Sequence, residues 1–369
     1  MINILDTGVK RSKNVDNFIF GEGSLGELES LLLEQKKARN DYVIYFVDEY
    51  FINSEILNSL PVSHMDQLIY VETKHEPTTQ YIDKIRDEIM QSLATFYNPA
   101  AVVGMGGGIT MDVAKAISNL LTNGGKAKDY QGWDLVKKPG IYKIGIPTIS
   151  GTGAEATRTC VMTNKENGLK LGMNSDKTVF NEVILDPTLS KTVPRDQYFY
   201  TGMDAYIHCV EALNGSYRNA IGDTYSKMSI DLCKEVFFDK DMMSDTNREK
   251  LMIASYLGGC AIATTYVGVV HPFSAGLSVV LDTHHCISNC IVLNVLGEFY
   301  PEQHIEFKEM LEKQNITLPK GLCANLTKDE YDSLYEATII HEKPLYNALG
   351  KEFREILNKE KVIEIFKSI

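Results

Sequence analysis

The sequence predicts an α/β domain with a largely parallel sheet over residues 1–187, followed by an all-helical (all-α) domain over residues 188–369. Three observations point there. Up to Leu185-Asp186-Pro187, short apolar runs of strand length alternate with segments of helical periodicity, the pattern of a helix-covered parallel sheet. A glycine-rich turn, Gly104 to Gly108, joins one such run to a helix. Beyond residue 187, helix-length segments dominate and alternation with a period of two is scarce. The length of 369 residues accommodates two domains at roughly 100–200 residues each.

Taken in order, Asn17-Phe18-Ile19-Phe20 reads as a strand that stops at Gly21-Glu22-Gly23; Leu25, Leu28, Leu31 and Leu32 then recur at helical spacing. Tyr42 to Val47 and Leu68 to Val71 are short apolar runs, as in strands buried on both faces. Ile82, Ile85, Ile89 and Leu93 mark one face of a helix after Pro77-Thr78. Ala101-Val102-Val103 is a strand, Asp112 to Leu121 a helix, and Lys143 to Ile146 a further strand ending at Pro147. In the second half, helices are expected over residues 204–213, 223–237, 248–265, 302–314 and 331–337. The charged, amphipathic tail from Asn347 to Ile369 reads as surface helix.

Lys and Arg total 37 against 49 Asp and Glu, a net charge of −12. That balance excludes a protein whose main task is binding nucleic acid or an anionic membrane, since both need basic surface. A small-molecule substrate, even an anionic one, needs only a local basic pocket. Seven scattered cysteines, an odd number, fit reduced thiols in a cytoplasmic setting rather than a disulfide scaffold. Met1 to Lys13 carries Asp6, Lys10, Arg11 and Lys13 and no apolar stretch, so no secretory leader is expected. From Leu251 to Leu281 there is no Asp, Glu, Lys or Arg. The run contains glycines, His271 and Pro272 and lacks basic or aromatic flanks, which favours a buried helix pair over a membrane span.

The residues that carry chemistry form two groups. Gly106, Gly107 and Gly108 follow a strand and open a helix, where backbone amides and the positive helix end receive a phosphate. The turn is not Gly-x-Gly-x-x-Gly, because Ile109 stands at the last glycine position. A tight structural turn is the alternative. Thr148-Ile149-Ser150-Gly151-Thr152-Gly153 again follows a strand and offers hydroxyls and amides to a ribose-pyrophosphate. Asp48 ends an earlier strand; a carboxylate there accepts ribose hydroxyls and repels a 2′-phosphate, favouring NAD over NADP. Taken alone, Asp48 reads first as an exposed loop acid.

In the helical half, Asp204 and His208 stand at i, i+4 and share a helix face. His271 and His285 follow in the apolar region. One oxygen and three nitrogens suit Fe2+ or Zn2+ and leave room for a substrate, although any one of the four alone reads as a hydrogen-bonded core residue. His284-His285-Cys286 with Cys290 is a rival thiolate arrangement, but structural zinc sites pair two such motifs and no second is present.

In this order, Asp48, Gly-Gly-Gly-Ile-Thr-Met-Asp-Val-Ala-Lys (106–115), Pro-Thr-Ile-Ser-Gly-Thr-Gly-Ala-Glu (147–155), Asp186-Pro187 and Thr-Gly-Met-Asp-Ala-Tyr-Ile-His (201–208) resemble the iron-containing (group III) alcohol dehydrogenase family. The resemblance covers nearly the whole chain. It implies a dinucleotide-binding α/β domain, a helical metal domain of the dehydroquinate synthase-like fold, an active site in the cleft between them, and a homodimer. It assigns Asp204, His208, His271 and His285 as metal ligands. It places Gly106, Gly107, Gly108, Asp112, Thr148, Thr152, Lys170 and Leu189 at the cofactor.

Two departures stand out. Ile109-Thr110 replaces the family's frequent Ser-Pro, and Ala275 stands where many members carry a further histidine four residues after the third ligand. The second leaves room beside the metal for a larger or more polar substrate. Residues 130–133, 199–204, 284–290, 298–302, 315–320 and 347–351 are similar to the branch that oxidises the C8 hydroxyl of 3-deoxy-D-manno-octulosonate ahead of its amination. Such a sugar acid wants a basic partner, with Arg158 and Lys170 as candidates. The alternatives are a dehydrogenase of a small alcohol or diol, a lyase that uses NAD transiently as dehydroquinate synthase does, and a non-catalytic binding protein.

Overall fold

The computed structural model describes residues 12–92 and 98–369; Leu93, expected on a helix face, lies outside them. Two compact units emerge. One comprises residues 13–149 and 154–192, the other residues 193–369 together with Ser150–Gly153. The break thus falls at Thr192/Val193, a few residues beyond the expected 187/188. The reason is local: Leu189 packs into the apolar core of the first unit, and Asp186 accepts the Leu25 N–H at 3.2 Å.

The first unit contains β1 (Asn17–Phe20), α1 (Leu28–Gln35), β2 (Tyr42–Asp48), β3 (Gln67–Val71), α2 (Thr79–Ser92), β4 (Pro99–Gly106), α3 (Gly108–Asn123), β5 (Gly132–Trp133), β6 (Tyr142–Pro147), β7 (Thr159–Asn164), β8 (Leu169–Asn174) and β9 (Glu182–Leu185). Six strands form a sheet in the order β1-β9-β6-β4-β2-β3. Every pairing in it is parallel. From Tyr42 to Val47 every side chain of β2 is buried, as a strand covered on both faces requires. Among β2, β3, β4, β6 and β9 the order is that of a doubly wound sheet whose connections change direction between β2 and β4. That switch point opens a crevice at the strands' carboxyl ends, and Asp48 and the glycine turn both end there.

A small second sheet, β5-β8-β7, was not expected. Its β7–β8 hairpin is antiparallel. Burial along β7 alternates strictly, with Cys160, Met162 and Asn164 inside; the polar Thr159, Thr163 and Asn164 disguise this in the sequence.

The second unit is helical throughout its described residues: α4 (Arg195–Asn214), α5 (Ala220–Phe237), α6 (Asp245–Thr264), α7 (Val270–Leu281), α8 (His285–Leu293), α9 (Pro301–Lys313), α10 (Lys328–Ile339), α11 (Glu342–Leu349), α12 (Phe353–Ile356) and α13 (Lys359–Lys367). The uncharged run forms most of α6 and all of α7, and no helix among the described residues is long and apolar enough to cross a membrane. The tail is not merely superficial. Leu357, Val362 and Phe366 are buried in this unit's core with Phe273 and Leu277 of α7.

Ser150–Gly153 joins this unit through close backbone approach. Gly151 has φ 148°, and a Cβ there would stand 1.6 Å from the Thr201 carbonyl oxygen of α4. Only glycine fits that contact.

Candidate active site

The metal constellation starts on α4. Pro194 precedes the helix and Asp196 lies in its first turn, where a carboxylate suits the helix dipole. Asp204, His208 and Glu211 follow at i, i+4 and i+7, one face of the helix, and all three are buried. His271 enters from the first turn of α7 and His285 opens α8.

The donor atoms converge on Asp204. Its Oδ1 lies 3.4 Å from His271 Nε2 and 3.7 Å from His208 Nε2, and its Oδ2 lies 3.8 Å from His285 Nε2. The donor atoms of Asp204, His208 and His271 all fall within 4.8 Å of one another. Two ligands of one tetrahedral ion, bound at about 2.1 Å, stand about 3.4 Å apart. The spacing therefore suits a shared cation better than direct hydrogen bonds. The His208 and His271 rings stack at 4.5 Å, aiming both Nε2 atoms the same way. His285 has the most exposed side chain of the three histidines, at 26%, so the centre is most open on the α8 side.

The charges at this centre act strongly on one another. Burial works to raise the Asp204 carboxyl, but the histidines around it overcome that and hold it well below the carboxylate range. Burial pushes His208 down to about 4, leaving it neutral with a lone pair to donate. Burial opposes protonation of His271 too, but Glu211 and then Asp204 outweigh it and raise that ring to about 9.

Two residues at the centre escape a reading of ligand types alone. Glu211 accepts the Val270 N–H at 2.5 Å and pairs with His271 Nδ1, so Nε2 is left to face inward. Asn289, one turn after His285, donates from Nδ2 to Asp204 Oδ1 at 2.6 Å and stands 3.3 Å from the Nε2 atoms of His271 and His285. Helical spacing held the signal for both, since Glu211 lies on the Asp204–His208 face and Asn289 at i+4 from His285. Cys286 Sγ lies 3.8 Å from Asp204 Oδ2, while Cys290 Sγ faces the Tyr200 carbonyl. The two thiols point to different partners and are buried, as expected of packed cysteines rather than of the rival thiolate arrangement.

In the α/β unit, Asp48 accepts the Tyr50 N–H at 3.0 Å and the Thr73 hydroxyl at 3.1 Å, and a Gly107 backbone hydrogen bond also reaches it. Its carboxyl is raised, chiefly by burial. A Cβ on Gly106 would stand 2.7 Å from Thr110 and 3.0 Å from the Asp48 Cβ, so only glycine lets the turn pack this closely against both residues. Gly107 caps the 16-residue α3 without a side-chain hydrogen bond, and Gly108 is its first residue. The buried Thr110 hydroxyl finds no protein partner. The first-turn amides of α3 and the orphaned Thr110 hydroxyl at the switch point fit a pyrophosphate.

The remaining expected cofactor residues are more dispersed. Thr148 is tied to the glycine turn, its N–H donating to Gly106 O at 3.1 Å. Thr152 groups with the helical unit. Asp112 accepts the Val161 N–H, and burial pushes its carboxyl up to about 7. Lys170 pairs with Glu76 at 3.1 Å, and Leu189 is buried in the core. The two basic candidates for a substrate carboxylate are already engaged: Lys170 by Glu76, and Arg158 by Asp134 and Asp176.

Comparison with known proteins matches this architecture. The family profile "Iron-containing alcohol dehydrogenase" covers residues 16–187, and "Fe-containing alcohol dehydrogenase family, C-terminal" covers residues 198–335. The NAD-dependent methanol dehydrogenase of Bacillus methanolicus is 27% identical over 278 residues, 74% of this chain and 71% of the relative. A crystal structure of 1,3-propanediol oxidoreductase superposes with a TM-score of 0.80 at 19% identity, covering 97% of this chain and 98% of that one. Sulfoacetaldehyde reductase from Bifidobacterium kashiwanohense, solved with NAD+, gives 0.78 at 20% identity, covering 96% and 97%. With both halves matched, the chain belongs to the iron-containing alcohol dehydrogenase family and is an oxidoreductase acting on a CH–OH group.

Proposed function

We propose that this protein oxidises a terminal alcohol by metal-assisted hydride transfer to NAD, with Asp204, His208, His271 and His285 holding Fe2+ or Zn2+. The observation that carries the reading is the buried Asp204 faced by three imidazole nitrogens at 3.4–3.8 Å. The alcohol R–CH2OH and NAD+ give the aldehyde R–CHO, NADH and a proton. A bound divalent ion supplies Lewis acidity that lowers the alcohol's pKa, and a nicotinamide supplies the hydride acceptor. The chain's residues position both. Glu211 fixes the His271 tautomer and Asn289 holds an Asp204 oxygen. Gly106, Gly107 and Gly108 receive the pyrophosphate, and Asp48 receives the ribose hydroxyls. Asp112, Thr148, Thr152, Lys170 and Leu189 complete the proposed cofactor set.

Asp48→Ser removes the carboxylate that would repel a 2′-phosphate. The expected result is a rise in the NADP-to-NAD ratio of kcat/KM by about tenfold or more, equivalent to relieving about 1.4 kcal/mol. Steady-state kinetics with both dinucleotides checks it, and an unchanged ratio removes Asp48 from the ribose site.

For the substrate we propose the C8 hydroxyl of 3-deoxy-D-manno-octulosonate. Supporting it are the branch-like segments 284–290, 298–302 and 347–351 and the small Ala275 one turn after His271. Sulfoacetaldehyde reductase, a structure of similar fold, is named for an anionic substrate. The competing reading is a small alcohol or diol, which the names of the methanol and propanediol enzymes favour. The deciding experiment strips the metal, restores Fe2+ or Zn2+ separately, and follows NADH formation and oxygen uptake with octulosonate and with 1,3-propanediol. Metal-dependent NADH formation with octulosonate is expected. Good propanediol turnover without octulosonate turnover overturns the sugar-acid reading, and oxygen uptake without NADH overturns NAD as acceptor.

A further inference from the structure

Lys170 is a buried lysine whose charge is met but whose donors are not. Glu76 Oε1 lies 3.1 Å from its Nζ, yet that contact is not aligned as a hydrogen bond, and the buried Nζ makes none among the described residues. Lys115, buried on α3, is the contrast. Its Nζ donates to Thr157 O, Thr157 Oγ1 and Thr159 O at 3.1, 2.9 and 2.8 Å. Three bonds are all that an ammonium can give. Lys115 is thereby tied fully into the protein. A buried ammonium with open donors, by contrast, costs free energy until acceptor oxygens arrive.

Local structure brings Glu76 to this lysine. Pro77 follows it and favours extended backbone at Glu76. The Pro77 carbonyl accepts the Thr163 N–H at 2.9 Å, and Thr78 bridges Thr163 as a parallel partner. Thr163 in turn pairs directly with Lys170 across the β7–β8 hairpin. The segment ahead of α2 therefore runs beside β7 and delivers Glu76 to Lys170. The pair is also coupled to the glycine turn. Asp112 lies four residues after Gly108, about 6 Å along α3 from its first turn. Its carboxylate accepts the Val161 N–H of β7 at 2.9 Å and stands 3.9 Å from Lys115 Nζ. Burial acts on that carboxyl most strongly and Lys115 next; Glu76 and Lys170 also reach it, with opposite signs. The Glu76–Lys170 pair thus lies within electrostatic reach of the helix that carries the proposed pyrophosphate site.

We infer that Glu76 is a positioning residue of the cofactor site, anchoring the Lys170 ammonium so that its open N–H donors are kept for oxygens of the bound dinucleotide. The inference rests on the NAD reading proposed above. Glu76 acts through Lys170 and needs no contact of its own with the cofactor. Its charge makes a buried ammonium tolerable before the cofactor binds. Without that carboxylate, Asp112 competes for the ammonium and draws it toward α3.

The test is a fluorescence titration of NADH into the wild type, Glu76→Gln, Glu76→Asp, Lys170→Met and the Glu76→Gln/Lys170→Met double variant, with thermal melts to confirm folding. Glu76→Gln is expected to weaken NADH binding by about tenfold, and Glu76→Asp, which keeps the charge, to recover most of that loss. In the Lys170→Met background, Glu76→Gln should add nothing, because its effect passes through the missing ammonium. In alcohol oxidation by the metal-loaded enzyme, KM for NAD should rise with Glu76→Gln while kcat stays within about twofold. A folded Glu76→Gln protein that binds NADH as the wild type does overturns the inference alone. So does a loss of the same size with and without Lys170. Lys170→Met with unchanged NADH affinity overturns it as well, and decides the matter if Glu76→Gln does not fold. A wild type that binds no NADH overturns the NAD reading, and the inference with it.

Discussion

Replacing Asp204 by asparagine is expected to strip the metal and lower alcohol oxidation by about a thousandfold or more, the equivalent of about 4 kcal/mol of lost transition-state stabilisation. The substitution is nearly isosteric, so the fold should survive. What disappears is the negative charge in a fully buried position, the charge that all three histidine Nε2 atoms face. A neutral amide oxygen is a weaker ligand and no longer balances a dication in a desolvated site. Asn289, which donates to the ionised oxygen at 2.6 Å, loses its charged acceptor as well. Elemental analysis of the purified variant and NADH formation after adding excess Fe2+ or Zn2+ check the prediction. A variant that keeps one ion per chain and the wild-type rate removes Asp204 from the centre.

Glu211→Gln is the second large effect, and it works through His271. The carboxylate takes both the Val270 N–H and the His271 Nδ1 side, so the imidazole keeps its proton outward and its lone pair inward. A glutamine amide fills the same volume but can turn its NH2 toward Nδ1, favouring the opposite tautomer with a proton on Nε2. Metal affinity should fall by about 10–100-fold. Because the ligand remains present, excess metal should restore much of kcat, which Asp204→Asn does not allow. Zn2+ titration against a competing chelator, with rates measured across the same range, separates the two behaviours. Unchanged affinity would mean that Glu211 only packs beneath α7.

These two residues also mark where the sequence stops being informative. Asp204 and His208 are legible because their i, i+4 spacing is local and helical geometry places them together. Glu211 stands on the same face, but its partner lies 60 residues away, so spacing alone does not show what it holds. Asn289 meets Asp204 across 85 residues. In the α/β unit, the apolar runs of β2, β3, β4 and β6 are readable because a strand covered on both faces must be continuously apolar. The β7–β8 hairpin is not, because its alternation mixes buried and polar positions in residues such as Asn164. Arg158 and Lys170 looked available as substrate cations; their acidic partners come from other segments of the same unit.

By itself, the sequence determined the division into a sheet-bearing half and a helical half, the glycine turn after a strand, and the shared helix face of Asp204 and His208. Each of these depends on periodicity or spacing within a few residues. Tertiary structure alone decided that Asp48 meets the glycine turn at the switch between β2 and β4. It decided that Ser150–Gly153 belongs with the helices, because Gly151 lies against the backbone of α4. It also decided that α4, α7 and α8 bring His208, His271, His285 and Asn289 around the Asp204 carboxylate, with Glu211 on the outer side of His271. Such convergence arises from packing between segments distant in the chain, and local propensity carries no record of which distant segment will arrive.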